Sequence, residues 1–163
     1  MQTLWDHRFA QRTQRMSNSA IRELLKFTEN PDVISFAGGM PAPEVFPIKE
    51  FKEACLRVLD NNGPASLQYG STDGYAPLRD MIARHSARYG INITPENIVV
   101  TSGSQQALDL LGKVFINRGD HILVESPTYI GALQAWRTYG AEFVTVPLDE
   151  HGMVTSELEA RLR

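Results

Sequence analysis

At 163 residues the chain is long enough to bury a core, and its 42% hydrophobic and 21% charged residues are those of an ordinary globular domain. A formal net charge of -3 argues against a surface built to grip nucleic acid, which needs clustered Lys and Arg, and no apolar run approaches membrane-spanning length. The N-terminus, MQTLWDHRFAQR, lacks the apolar middle of a secretory signal, so a cytoplasmic location is expected; the lone Cys55 can form no internal disulfide and reads as a small core residue on the apolar side of a helix.

Leu4 to Met16 carry scattered apolar positions among charges, a weak helix or an arm that packs on another surface. Ser17-Asn18-Ser19 supplies N-cap candidates for a helix over Ala20 to Phe27, in which Ile21, Leu24 and Leu25 repeat at helical spacing. Arg22 and Lys26 then share a face off the apolar stripe, the usual arrangement of a solvated surface. Asn30-Pro31 ends that helix, and Val33 to Phe36 reads as a short strand entering Ala37-Gly38-Gly39, where the backbone can pass close to a ligand or another chain.

Pro47 suits the first position of a helix that turns Ile48, Phe51, Ala54, Cys55, Val58 and Leu59 inward, until Asn61-Asn62-Gly63-Pro64 stops it. Leu67 to Tyr75 is a long loop with two glycines and two tyrosines, Tyr69 and Tyr75. Pro77 opens a further helix to about Tyr89, with Gly90 as its left-handed stop, and His85 within it has no His, Cys or carboxylate neighbours spaced for a metal site.

The stretch IVVTSGSQQALDLL, Ile98 to Leu111, organises the remainder of the chain. Its β-branched start reads as a buried strand over Ile98 to Thr101, Gly103 permits a tight turn, and an amphipathic helix runs from Ser104 to Ile116. Unpartnered amides at a helix start favour an anion, and a phosphate fits best, with Ser102, Ser104 and Gln105 adding side-chain donors; the plainer alternative makes Ser104 only an N-cap. No Gly-Lys-Ser/Thr comes after it, which removes a P-loop, and G-x-G-x-x-G is absent, which weakens a dinucleotide site, so the phosphate would be carried by some other cofactor or metabolite. A strand over His121 to Glu125, a helix capped by Ser126-Pro127-Thr128 and closed by Gly140, and a strand over Glu142 to Val146 complete an alternating pattern. Strands separated by single helices imply βαβ units and a parallel sheet, with ligands bound beyond the carboxyl ends of the strands, where Ser102 to Gln105 and Pro127 to Tyr129 fall. A last helix, Thr155 to Arg163, has Ser156 and Glu159 as a capping box and Leu158 and Leu162 as its stripe.

With SGSQQALDL, ESPTYIGAL, SAIRELLKFTENPDVISFAGGMPAPEVFP and LQYGSTDGYAPLRD in hand, the sequence resembles the fold-type I pyridoxal-phosphate aminotransferases, nearest to the subgroup of 2-aminoadipate (kynurenine/aminoadipate) aminotransferases. The resemblance covers essentially the whole chain but only the N-terminal part of the family's length. It implies a three-layer α/β/α fold, with residues 1–47 as an N-terminal arm and substrate-side segment and 48–163 as an incomplete cofactor-binding large domain. Gly103, Ser104 and Gln105 match the motif that holds the phosphate of pyridoxal 5'-phosphate, and Tyr129 matches the aromatic residue stacked on its pyridine ring. Tyr69 matches the tyrosine that reaches the phosphate of the neighbouring subunit, which implies a homodimer. Gly39 matches a backbone position beside the substrate carboxylate; Ser19 and Arg22 lie on the helix over the substrate side chain, with Arg22 placed to pair with a second carboxylate.

The activity so implied moves an amino group from 2-aminoadipate, glutamate or a bulky hydrophobic or aromatic amino acid to a 2-oxo acid. It needs a Schiff-base lysine, yet Lys26, Lys49, Lys52 and Lys113 are the only lysines and none stands in the family's Ser-x-x-Lys context. The lysine, and with it all catalytic residues, is expected beyond Arg163, so this polypeptide alone is expected to be inactive, with its first strand lacking neighbours. Two other functions fit the same fold: the pyridoxal-phosphate domain of a transcriptional regulator, which would carry a DNA-binding domain ahead of this region, and a non-catalytic dimerisation piece.

Overall fold

The computed structural model describes residues 4–16, 34, 36 and 41–162. The helix expected over Ala20 to Phe27 lies outside them, and of the strand expected over Val33 to Phe36 only Ile34 and Phe36 are described. The chain divides into two compact units, Met1–Ser19 with Thr101–Arg163, and Ala20–Val100.

The first unit is an α/β layer built from the alternating part of the sequence. Helix α3 (Ser104–Phe115) is followed by strand β1 (His121–Ser126), helix α4 (Ile130–Arg137) and strand β2 (Glu142–Asp149). The strands are parallel, with His121 opposite Glu142 and Ser126 opposite Pro147, as single-helix connections require. Gly140, at φ 88°, closes α4 in the left-handed conformation that the sequence anticipates. Val124, Ala135, Ala141 and Val146 form the small buried core, with Val146 fully enclosed. Beyond the expected elements, β2 continues to Asp149 and turns back into β3 (Gly152–Met153), antiparallel to it, before helix α5 (Thr155–Leu162). The N-terminal residues form 3-10 turns at Asp6–Arg8 and Gln11–Arg15 and no α-helix; the Arg15 guanidinium lies against Gly140, while Leu4, Trp5, Phe9 and Met16 are exposed.

The second unit carries helix α1 (Ile48–Ser66), helix α2 (Ala76–Ala87) and a 3-10 turn at Pro95–Asn97. Helix α1 does not stop at Asn61-Asn62-Gly63-Pro64; it kinks at Asn62 (φ -152°, ψ 34°) and resumes to Ser66, since Pro64 near the start of the second piece needs no amide donor there. Its expected inward stripe is uncovered: Ile48 and Phe51 are each 69% exposed, Val58 and Leu59 about half, and Cys55 is exposed, so it is not a core residue. Amphipathic spacing sets which side chains share a face; it does not supply the surface that covers them.

The strand expected over Ile98 to Thr101 is not formed. Ile98 has extended backbone (φ -121°, ψ 128°) and is buried, as its β-branched neighbours favour, but a strand needs a ladder. Val100 instead donates its amide to the Asp73 carbonyl at 2.9 Å. That contact belongs to a compact knot. Gly74 (φ +107°) lies against Val100, whose Cβ and Cγ2 would be 2.6 and 2.7 Å from any Cβ at position 74. Arg79, only 15% exposed, pairs with the Asp73 carboxylate and donates to the Pro95 carbonyl at 3.0 Å, while the Ser71 hydroxyl donates to Asp73.

Candidate functional site

The site is built where α3 and α4 begin. Gly103 takes φ 98° as the residue before α3, a conformation open to glycine at little cost, and a Cβ there would meet nothing within 4 Å. The position therefore demands glycine for its backbone angle, with open space in front of it. Ser104 is the first helical residue, so it is not the N-cap; Gly103 is. Ser104 and Gln105 are exposed, which leaves the first-turn amides facing outward at the positive end of the helix.

The two helices run parallel, as their contacts show in sequence. Gln105 Nε2 reaches the Gly131 carbonyl at 3.5 Å, Trp136 Nε1 donates to the Leu108 carbonyl at 2.9 Å, and the Tyr139 hydroxyl donates to Asp109 Oδ1 at 2.7 Å. Gly112 lies under the rings of Tyr139 and Trp136, with no room for a Cβ. Start meets start and end meets end, so both helix N-termini point the same way and their partial positive charges add. Tyr129, the residue before α4, stands at this shared end with its ring 61% exposed.

Hydrogen bonding fixes the turn between Thr101 and α3. The Thr101 hydroxyl donates to the Gly103 carbonyl at 3.1 Å, and Gln106 Oε1 accepts the Ser102 amide at 2.5 Å. Gln106 was not among the residues the sequence pointed to; a Gln inside the first turn after a Ser-Gly-Ser run, able to reach back to an amide, is the signal that could have found it. The Ser102 amide is taken up within the turn and the Gln105 side chain by the Gly131 carbonyl of α4, which leaves the first-turn amides of α3 and the Ser104 hydroxyl as groups able to meet an anion.

At the far end of the pair, the Tyr139 hydrogen bond holds the Asp109 carboxyl below its usual range, with Lys113 at 3.4 Å assisting, and the same bond raises the Tyr139 phenol. Asp109 thereby ties α3 to the end of α4.

In the second unit, Tyr69 sits on the loop tied down by Asp73 and Arg79, and its side chain is fully exposed. A cavity of about 850 Å³ opens between α1 and that loop, lined by Arg57, Asn61, Ser66, Ser71 and Tyr75 among others. Ser19, Arg22 and Gly39 lie outside the described residues. Among the described residues no group of His, Cys, Asp or Glu could hold a metal ion, and no helix is long and apolar enough to cross a membrane.

Comparison with known proteins assigns the chain to a family. The family model described as aminotransferase class I and II matches residues 31–163. The chain is 48% identical over 159 residues to 2-aminoadipate transaminase of Thermus thermophilus, covering 98% of this chain and 39% of that protein. It is 51% identical over 156 residues to aromatic-amino-acid aminotransferase 1 of Thermococcus litoralis, covering 95% of this chain and 37% of that one. Among solved structures it matches LysN, the α-aminoadipate aminotransferase of Thermus thermophilus complexed with N-(5'-phosphopyridoxyl)-L-leucine, at a TM-score of 0.85 and 46% identity over 98% of this chain and 39% of that one. The chain thus spans somewhat more than a third of the length of the relatives it matches.

Proposed function

The chain belongs to the class I and II aminotransferase family, and from that premise we propose that it is part of a pyridoxal-phosphate enzyme moving an amino group between an amino acid and a 2-oxo acid. The observation that carries this reading is the meeting of two parallel helix N-termini at Gln105 and Gly131, beside the exposed ring of Tyr129.

The residues present fit that cofactor. An exposed first turn with a glycine before it suits a dianionic phosphate, and an aromatic face a few residues away suits a flat heteroaromatic ring. In this reading the Gly103, Ser104 and Gln105 amides hold the phosphate, with the Ser104 hydroxyl as a further donor, and Tyr129 stacks on the ring. Bound there, pyridoxal phosphate supplies an electron sink for loss of the amino acid's Cα proton. The contribution of this part of the chain is to bind and orient. The two helix N-termini would hold the phosphate, and Tyr129 would fix the plane of the ring.

Tyr69, fully exposed on a braced loop, is suited to reach out of its own subunit toward the phosphate of a second copy, so the working form is a homodimer. Ser19, Arg22 and Gly39 contact the substrate, and Arg22 pairs with the distal carboxylate of 2-aminoadipate or glutamate. Both named relatives, one a 2-aminoadipate transaminase and one an aromatic-amino-acid aminotransferase, support a donor that is either dicarboxylic or bulky and apolar. In this reading none of Lys26, Lys49, Lys52 and Lys113 is the lysine that joins the cofactor, since none stands in the family's Ser-x-x-Lys context, and these 163 residues are not expected to turn over substrate alone.

Titrating the protein from the complete gene with pyridoxal phosphate tests the reading. Saturable binding, with amino transfer from 2-aminoadipate to 2-oxoglutarate, is expected; failure to bind the cofactor would sink it.

A further inference from the structure

Gly131 is the second residue of α4, and its backbone is not in the left-handed region that calls for glycine. Glycine is a poor helix former, so something other than local backbone preference keeps it there. The space above it supplies the reason. A Cβ at position 131 would lie 2.6 Å from both Cε1 and Cζ of Tyr129 and 2.7 Å from its hydroxyl oxygen, well inside ordinary carbon contact at about 3.5 Å. The hydroxyl end of the phenol ring thus occupies the volume that any side chain at position 131 would fill.

We propose that Gly131 is a positioning residue that sets the height and tilt of the Tyr129 ring at the shared end of α3 and α4. The role rests on the stacking assigned to Tyr129 above. A ring whose hydroxyl end is lodged in that space takes its level from the helix itself. The Gly131 carbonyl, reached by Gln105 Nε2, ties that level to the first turn of α3, so ring and phosphate cradle share one frame. A methyl group at position 131 would displace the ring and leave the helix in place, since Tyr129 is 61% exposed and free to swing outward, whereas α4 is held by Trp136 and Tyr139.

The test is a double-mutant cycle on the complete protein with Gly131→Ala and Tyr129→Ala, read by pyridoxal-phosphate titration, by visible circular dichroism of the bound cofactor and by the melting temperature of the cofactor-free form. Gly131→Ala should leave melting unchanged or raise it, alter the dichroism, and weaken cofactor binding by about tenfold, the scale of one aromatic contact. In the Tyr129→Ala background the same substitution should weaken binding no further. The proposal is overturned if Gly131→Ala binds normally while Tyr129→Ala does not, or if its loss is equal in both backgrounds, which would place the effect in the backbone or Gln105. Normal binding by Tyr129→Ala would instead overturn the stacking assignment, and the positioning role with it.

Discussion

The indole N–H of Trp136 donates to the backbone carbonyl of Leu108 at 2.9 Å, and this bond locks α4 against α3 midway between the converging first turns and the Tyr139–Asp109 tie. Both groups are half-buried, so the bond is partly sheltered from water.

Trp136→Phe keeps most of the ring's packing and deletes the donor. Stability to denaturant should fall by about 1 to 2 kcal/mol, the net value of one hydrogen bond plus a small packing defect. An unchanged urea midpoint would mean that the indole bond does not hold the helix pair.

The Tyr139 bond gives a pH dependence with a definite sign. Because it lowers the Asp109 carboxyl, its contribution is present above the ordinary carboxylate range and lost as pH falls through the lowered folded value. Because it raises the Tyr139 phenol, the contribution is present below the ordinary phenol range and lost as pH rises through the raised folded value. In Tyr139→Phe the Asp109 carboxyl should move upward in an NMR titration; a carboxyl that stays put would assign its depression to Lys113 instead.

Arg79→Met removes a pair with Asp73 and a donor to the Pro95 carbonyl from a side chain only 15% exposed. A loss of about 1 to 2 kcal/mol is expected after allowing for screening at the more exposed Asp73. Limited proteolysis should then cut first within Gln68 to Tyr75, the loop that this network braces.

Arg22→Ala should raise KM for 2-aminoadipate or glutamate far more than for leucine, because only the dicarboxylic donors offer a second carboxylate. Equal effects on steady-state kinetics with both kinds of donor would return Arg22 to a solvated helix face.

Much of the first unit was legible because its elements are specified locally. The β-branched and apolar run His121 to Glu125, the glycine at 140 and the spacing of one helix between strands suffice for β1, α4, β2 and their parallel pairing. The start of α3 was legible for the same reason, since Gly103 announces a backbone angle in its identity. Where sequence reasoning failed, the missing information was nonlocal. Ile98 to Thr101 has the composition of a strand but no ladder, and the stripe on α1 has the period of a buried face but no cover, because pattern does not name a partner. Gly131 was passed over since a helical glycine looks merely unfavourable until the Tyr129 ring is seen in the space a side chain there would fill. The hairpin at Asp149 to Gly152 was missed although its Asp and Gly are turn residues, because the two-residue strand after it is too short to carry alternation.

Gly74 and Gly63 mark the extremes of what the second unit can accept in the course of divergence. At position 63 a new side chain would enter open space, so drift there is restrained only by helix preference and neighbours in the kink. At position 74 both the torsion and the branched carbon of Val100 forbid every other amino acid, and relief would require two simultaneous changes. The loop bearing Tyr69 therefore has a fixed anchor about which its other residues can vary, and orthologues that differ elsewhere in this segment should still align on that single atom-sized gap.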